Sequence, residues 1–139
     1  MNARVGTLVL SLLLASCRRE PESDVEGRFA FYGFDYARMK AGAFRDPAAL
    51  RPWFLMSLTV DAASAEAYSD DLMKLVAHWG ETIFLRELES INSIPRERVI
   101  GGLAYETCFG QNEREWIRFS ARYPRVAETI AASMHTSAR

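Results

Sequence analysis

The chain has 139 residues, 49% of them hydrophobic and 25% charged, with a formal net charge of −1. That length holds one domain, and that balance belongs to a globular chain rather than a disordered one. Its basic residues form no run interleaved with aromatics, so the clustered positive charge that a phosphate backbone requires is missing and a nucleic-acid partner is excluded.

The first segment divides by charge. Met1 to Arg4 is short and positive, and Val5 to Ala15 is an uncharged, mostly apolar run of eleven residues. At 1.5 Å per residue that run crosses only about half of a bilayer core, which disfavours a transmembrane helix. Its apolar residues surround the helix axis instead of lying on one face, which disfavours a packed amphipathic helix. A positive start, a short apolar run and small residues before a cut site form the pattern of a secretory signal.

The residues Leu14-Ala15-Ser16-Cys17 resemble the lipobox of bacterial lipoproteins at all four positions. The resemblance implies a signal peptide over 1–16 removed by signal peptidase II. Cys17 would then be the lipid-attachment residue, with a diacylglyceryl group on its sulfur and an acyl group on the new amino terminus. It also implies a membrane partner reached through lipidated Cys17. Arg18 stands where an aspartate commonly retains a lipoprotein in the inner membrane, so the outer membrane is favoured, with the body facing the periplasm. Acyl chains contribute roughly 0.8 kcal/mol per buried CH₂, so two or three hold a small protein there permanently. Removal of 1–16 takes away Arg4 alone among the charged side chains and moves the net charge from −1 to −2.

Residues 17–27 read as a lipid-anchored linker, because 18–26 hold two arginines, four acidic residues and Pro21, with Val25 the clear apolar exception. Residues 28–139 read as the domain. The segment 28–44 is rich in aromatics, and Tyr32, Tyr36, Met39 and Ala43 share a helical face, although Gly33 and Gly42 weaken a continuous helix. A short alternation at Phe29–Phe31 is the nearest thing to a strand. Asp46-Pro47 is a helix start, a capping side chain followed by proline in the first turn. The apolar run Ala48 to Val60 after it is expected at the centre.

From Ser64, which can cap, to Trp79 the residues Tyr68, Leu72, Leu75, Val76 and Trp79 recur at helical spacing until Gly80. A short helix to Ser90 presents Phe84, Leu88 and Ile91. Pro95 opens the next, with Ile100, Leu103, Ala104, Thr107 and Cys108 on one face before Gly110. Asn112 caps a helix to Arg122, and Tyr123-Pro124 turns into a last helix carrying Val126, Ile130 and Met134. The predicted fold is all-α, a small orthogonal or bundle-like array of about five or six helices following the cleaved signal. His78-Trp79-Gly80-Glu81, with Phe84, Leu88 and the Pro95-led helix, resembles a HEAT-type helical hairpin over about 30 residues.

The chemistry-bearing residues are few. His78 and Glu81 are spaced for one metal, but Gly80 falls between them and no third ligand lies nearby, so no metal site is assigned. His135 sits near the chain end. Cys108 has Ala104 and Tyr105 as helical neighbours, neither of which lowers a thiol pKa, and core packing is its expected role. Glu87 with Glu89, and Glu113 with Glu115, are two apart and point in different directions on a helix, so a solvated face is expected in place of a paired-carboxylate site. Gly101-Gly102 inside a helix costs roughly 1 kcal/mol per glycine, which close helix packing would explain. No catalytic set, phosphate loop or cofactor motif is found. The sequence therefore predicts a membrane-tethered, non-catalytic helical binding or scaffolding lipoprotein of the bacterial envelope, with a protein partner there and with an immunity or inhibitor protein as its specific form. The alternative is a periplasmic envelope hydrolase.

Overall fold

The computed structural model describes residues 22–137. Cys17 and the expected signal peptide lie outside the described residues. Seven α-helices follow one another among the described residues: α1 (Glu22–Phe31), α2 (Tyr36–Ala43), α3 (Leu50–Leu55), α4 (Ala65–Glu89), α5 (Ser93–Glu106), α6 (Glu113–Arg122) and α7 (Pro124–Ser137). Short 3-10 turns flank α3 at Pro47–Ala49 and Met56–Thr59. No strand occurs among the described residues. The fold is the all-α array that the periodicity predicts, with a helix more than expected.

The extra helix comes from the segment read as linker. Residues from Glu22 are helical, and Val25 and Phe29 are buried in the core, so the folded body begins before residue 28. Composition misled because the acidic residues surround a single buried valine. Phe29–Phe31 is the last turn of this helix and not a strand. Gly33 stops α1 at φ +82, where the N–H of Gly33 donates to Ala30 O at 2.9 Å and that of Phe34 to Phe29 O at 3.0 Å. Asp35 then caps α2, its carboxylate accepting the Arg38 N–H at 3.0 Å. The aromatic segment is thus two short helices meeting at a glycine corner.

Asp46 caps as its sequence predicts, accepting the Ala48 N–H at 2.9 Å with Pro47 in the first turn. Leu50, Trp53, Phe54 and Met56 are fully buried, so the run after Pro47 is central. At the start of α4 the capping is reversed from expectation. Ser64 makes no cap of its own; the Asp61 carboxylate accepts both the Ser64 N–H at 2.9 Å and the Ser64 hydroxyl at 2.8 Å. Gly80 (φ 72, ψ 165) breaks α4 without a loop, and the helix resumes at once in a new direction.

Residues 90–92 fold α5 back onto α4, the most extensive helix pair in the molecule. Asn112 caps α6 through its side-chain Oδ1, which accepts the Glu115 N–H at 3.3 Å. The exposed first turn of α7 is closed from elsewhere in the chain: the Glu81 carboxylate accepts the Val126 N–H at 2.8 Å. An acidic group there satisfies an orphan donor and complements the helix dipole.

The two adjacent glycines of α5 differ in cause. A Cβ on Gly102 would lie 3.0 Å from Ser69 Oγ and 3.3 Å from Leu72 Cδ1 of α4, whereas a Cβ on Gly101 would meet nothing within 4 Å. Close packing explains Gly102 and leaves Gly101 without a packing reason. Gly101→Ala is expected to stabilise by up to about 1 kcal/mol through helix propensity. Gly102→Ala should destabilise by about 1–3 kcal/mol through overpacking. Urea unfolding of the two variants checks the opposite signs.

Candidate functional site

The main concentrations of ionisable groups lie on the inner side of α4. Asp71 and Glu87 are each only 3% exposed. A buried carboxylate needs both charge and hydrogen-bond compensation, and each has it. The Tyr36 hydroxyl of α2 donates to Asp71 Oδ2 at 2.6 Å. Lys40 Nζ lies 3.0 Å and Lys74 Nζ 3.5 Å from the other oxygen. Arg51 Nε of α3 donates to Glu87 Oε2 at 2.7 Å, and Arg86 Nε to Oε1 at 2.9 Å.

These pairs fasten α2 and α3 to the two halves of α4. Burial pushes the Glu87 carboxyl up, but the Arg51 and Arg86 hydrogen bonds outweigh it and hold the group below the ordinary value of 4.5. A carboxyl held ionised, with both oxygens engaged, is poorly suited to deliver a proton as a general acid. Glu87 is therefore not on the solvated face expected for it, while Glu89 is exposed.

Asp71 escaped the sequence reading altogether. The signal was present: it lies three residues after Tyr68 and four before Leu75, inside the buried stripe of α4. An acid in such a stripe implies a partner from another helix. Nothing in the sequence spacing names Tyr36 as that partner.

The other singled-out residues do not converge. His78 is exposed, its ring edge-on to Phe44 at 5.2 Å and to Trp79 at 4.8 Å. Glu81 is occupied in capping α7, so the pair is divided by the Gly80 break and by function. Among the described residues no three His, Cys, Asp or Glu side chains are grouped to hold a metal. His135 is exposed in the last turns of α7.

Cys108 departs from the expected core role. It is half-exposed, adopts φ +54 at the end of α5, and its thiol donates to Glu115 Oε2 at 3.2 Å. The Glu115 hydrogen bond pushes the thiol up, so this cysteine is kept protonated instead of activated. Its local neighbours could not reveal this, because the chain reverses at Gly110 (φ +73) to bring Glu115 back. Glu113 is exposed and does not pair with Glu115.

The surface carries an open depression of about 620 Å³ beside the α1–α2 corner, lined in part by Gly27, Ala30, Gly33 and Phe34. Exposed large apolar side chains include Tyr105 and Ile117, which stand apart, and two clusters. Phe31 and Tyr32 touch edge-on at 5.2 Å. Leu55 and Leu58 are exposed around the 3-10 turn after α3, and the Ser57 hydroxyl donates to Pro95 O at 3.3 Å, which brings that turn beside exposed Ile94. No described helix is long and apolar enough to cross a membrane. Comparison with family profiles, characterised proteins and solved structures finds no match for this chain.

The Glu87 cluster has a pH signature. Its depressed carboxyl contributes stability that is fully present above 4.5 and is lost as the pH falls below that value through the folded-state pKa. Glu87→Gln should cost about 1–2 kcal/mol at neutral pH, a modest figure because both arginines remain hydrated. Chemical denaturation at pH 7 and at pH 3 should show the gap between variant and parent shrinking at the lower pH.

Proposed function

We propose that the chain is a lipid-tethered, non-catalytic helical binding or scaffolding protein of the bacterial cell envelope, with an immunity or inhibitor lipoprotein as its specific form. The observation that carries this reading is the sequence Leu14-Ala15-Ser16-Cys17 placed shortly ahead of a helical body whose first described helix is Glu22–Phe31. Lipidation of Cys17 would hold that body within a short reach of the membrane, outer-membrane attachment facing the periplasm being favoured by Arg18.

The binding half of the reading rests on what the polar and apolar groups do. Asp71 and Glu87 are spent on fastening helices, Glu81 on capping α7, and Glu115 on holding a protonated Cys108. Of the groups a hydrolase reading would draw on, Glu87, Glu115 and Cys108 are engaged in these roles. Leu55, Leu58 and Ile94, by contrast, leave apolar surface in water, which is the material of a protein contact.

Intact mass of protein purified from bacterial membranes tests the address. The expected result is a chain beginning at Cys17 with added acyl mass, and a Cys17→Ser chain that leaves the membrane fraction. An unmodified chain still joined to Met1 contradicts it. Crosslinking in the same envelopes should trap a specific protein partner, and recovery of background alone contradicts the binding role.

A further inference from the structure

We infer that the Phe31–Tyr32 corner between α1 and α2 is a lipid-interface contact, which seats the tethered domain against the surface of a neutral phospholipid bilayer. The inference rests on the lipid tether proposed above and adds to it a specific orientation of the body. It begins from an anomaly of burial. Phe31 is 83% exposed and Tyr32 54% exposed, although Val25 and Phe29 of the same helix are buried. The two exposed rings meet edge-on with centroids 5.2 Å apart, so they form one apolar knob and not two scattered side chains. Gly33 at φ +82 turns the chain immediately after them, so the knob stands where α1 ends.

The length of chain ahead of the folded body says what the knob can reach. Five peptide steps from Cys17 to Glu22 span at most about 18 Å. Nine more at helical rise place Phe31 about 14 Å from Glu22 along α1. A body held at Cys17 can therefore lay α1 along the membrane and bring Phe31 to the headgroup region with tether to spare. At so short a leash the effective concentration of lipid at the knob is high, and a contact too weak to recruit the free domain is enough to orient the tethered one. Aromatic rings with a polar tip, such as Tyr32, favour the interfacial layer in particular.

Charge selects the kind of lipid. The ionisable side chains flanking the corner in sequence are Glu26, Arg28, Asp35 and Arg38, two of each sign, and Arg28 faces Asp61 at 3.3 Å. A basic patch seeking anionic headgroups would not be composed this way. The contact is therefore apolar and interfacial, made to a neutral surface without help from anionic headgroups and insensitive to salt.

The test uses the lipidated protein carrying Phe31→Trp, reconstituted into phosphatidylcholine vesicles with and without lipids bearing a nitroxide near the headgroup end of the acyl chain. The extra emission over the parent protein, which already holds Trp53, Trp79 and Trp116, is the readout. The expected result is that this extra emission is blue-shifted and largely lost in nitroxide vesicles, and that high salt does not restore it. Extra emission that is equal in both kinds of vesicle, with the protein bound and its helix content unchanged, overturns the inference. So does a protein crosslinked at position 31 in envelopes without lipid quenching. Intact mass on the same sample separates the two levels. If Cys17 proves unacylated, the tether reading fails, and Cys17 of a Cys108→Ser chain is coupled instead to a maleimide-bearing lipid. Quenching at position 31 then upholds the corner, and its absence overturns it.

Discussion

One aromatic ring from each of the first four helices joins a continuous ladder, and the rest of the structure is arranged around it. Phe29 of α1 stacks on Tyr36 of α2 at 4.8 Å, Tyr36 packs on Trp53 of α3 at 5.1 Å, and Trp53 stacks on Tyr68 of α4 at 5.6 Å. Such pairs contribute about 0.5–1.5 kcal/mol each beyond the area they bury. The polar tips are placed as well. The Tyr36 hydroxyl donates to Asp71, and the Tyr68 hydroxyl donates to Trp53 O at 3.0 Å. Burial pushes the Tyr68 hydroxyl up, so it stays a neutral donor. The Trp53 indole N–H makes no hydrogen bond, a cost the ladder absorbs by enclosing the ring between two tyrosines.

The ladder explains why the body starts so soon after Cys17. Without Phe29 in it, α1 would be a ten-residue helix with little to hold it in water. With Phe29 in it, the helix is part of the core, and only four residues stand in the sequence between Cys17, the proposed lipid site, and Glu22. Short tether, fixed α1 and the exposed corner at its end belong to one chain of cause. The far end of the molecule is secured differently, by Glu81 on the first turn of α7 and by Val126 and Ile130 beneath it.

Much of the helical fold was legible because amphipathic spacing and capping residues are local. Asp46-Pro47, Gly80, Asn112 and Tyr123-Pro124 mark boundaries that the structure keeps. The failures come from contacts distant in sequence and from local geometry that periodicity does not encode. Val25 reads as a lone apolar residue in a solvated segment until Phe29, four residues on and also buried, supplies the second half of a packed face. Ser64 makes no side-chain cap on α4 because its hydroxyl is taken by the Asp61 carboxylate. The roles of Asp71, Glu87 and Cys108 are set by Tyr36, Arg51 and Glu115, none of which follows from local periodicity. The candidate site was thus less legible than the fold: the groups were visible, their partners were not.

The account turns on α1 being a cooperative part of the domain and not a continuation of the tether. Urea unfolding of Phe29→Ala, followed by far-UV dichroism on the chain from residue 18 onward, tests this most directly. Removal of a fully buried phenyl ring should cost about 3–5 kcal/mol, with a single transition at a lower midpoint. A midpoint equal to that of the parent would show that the ladder does not begin at α1, and the short-tether geometry would fail with it.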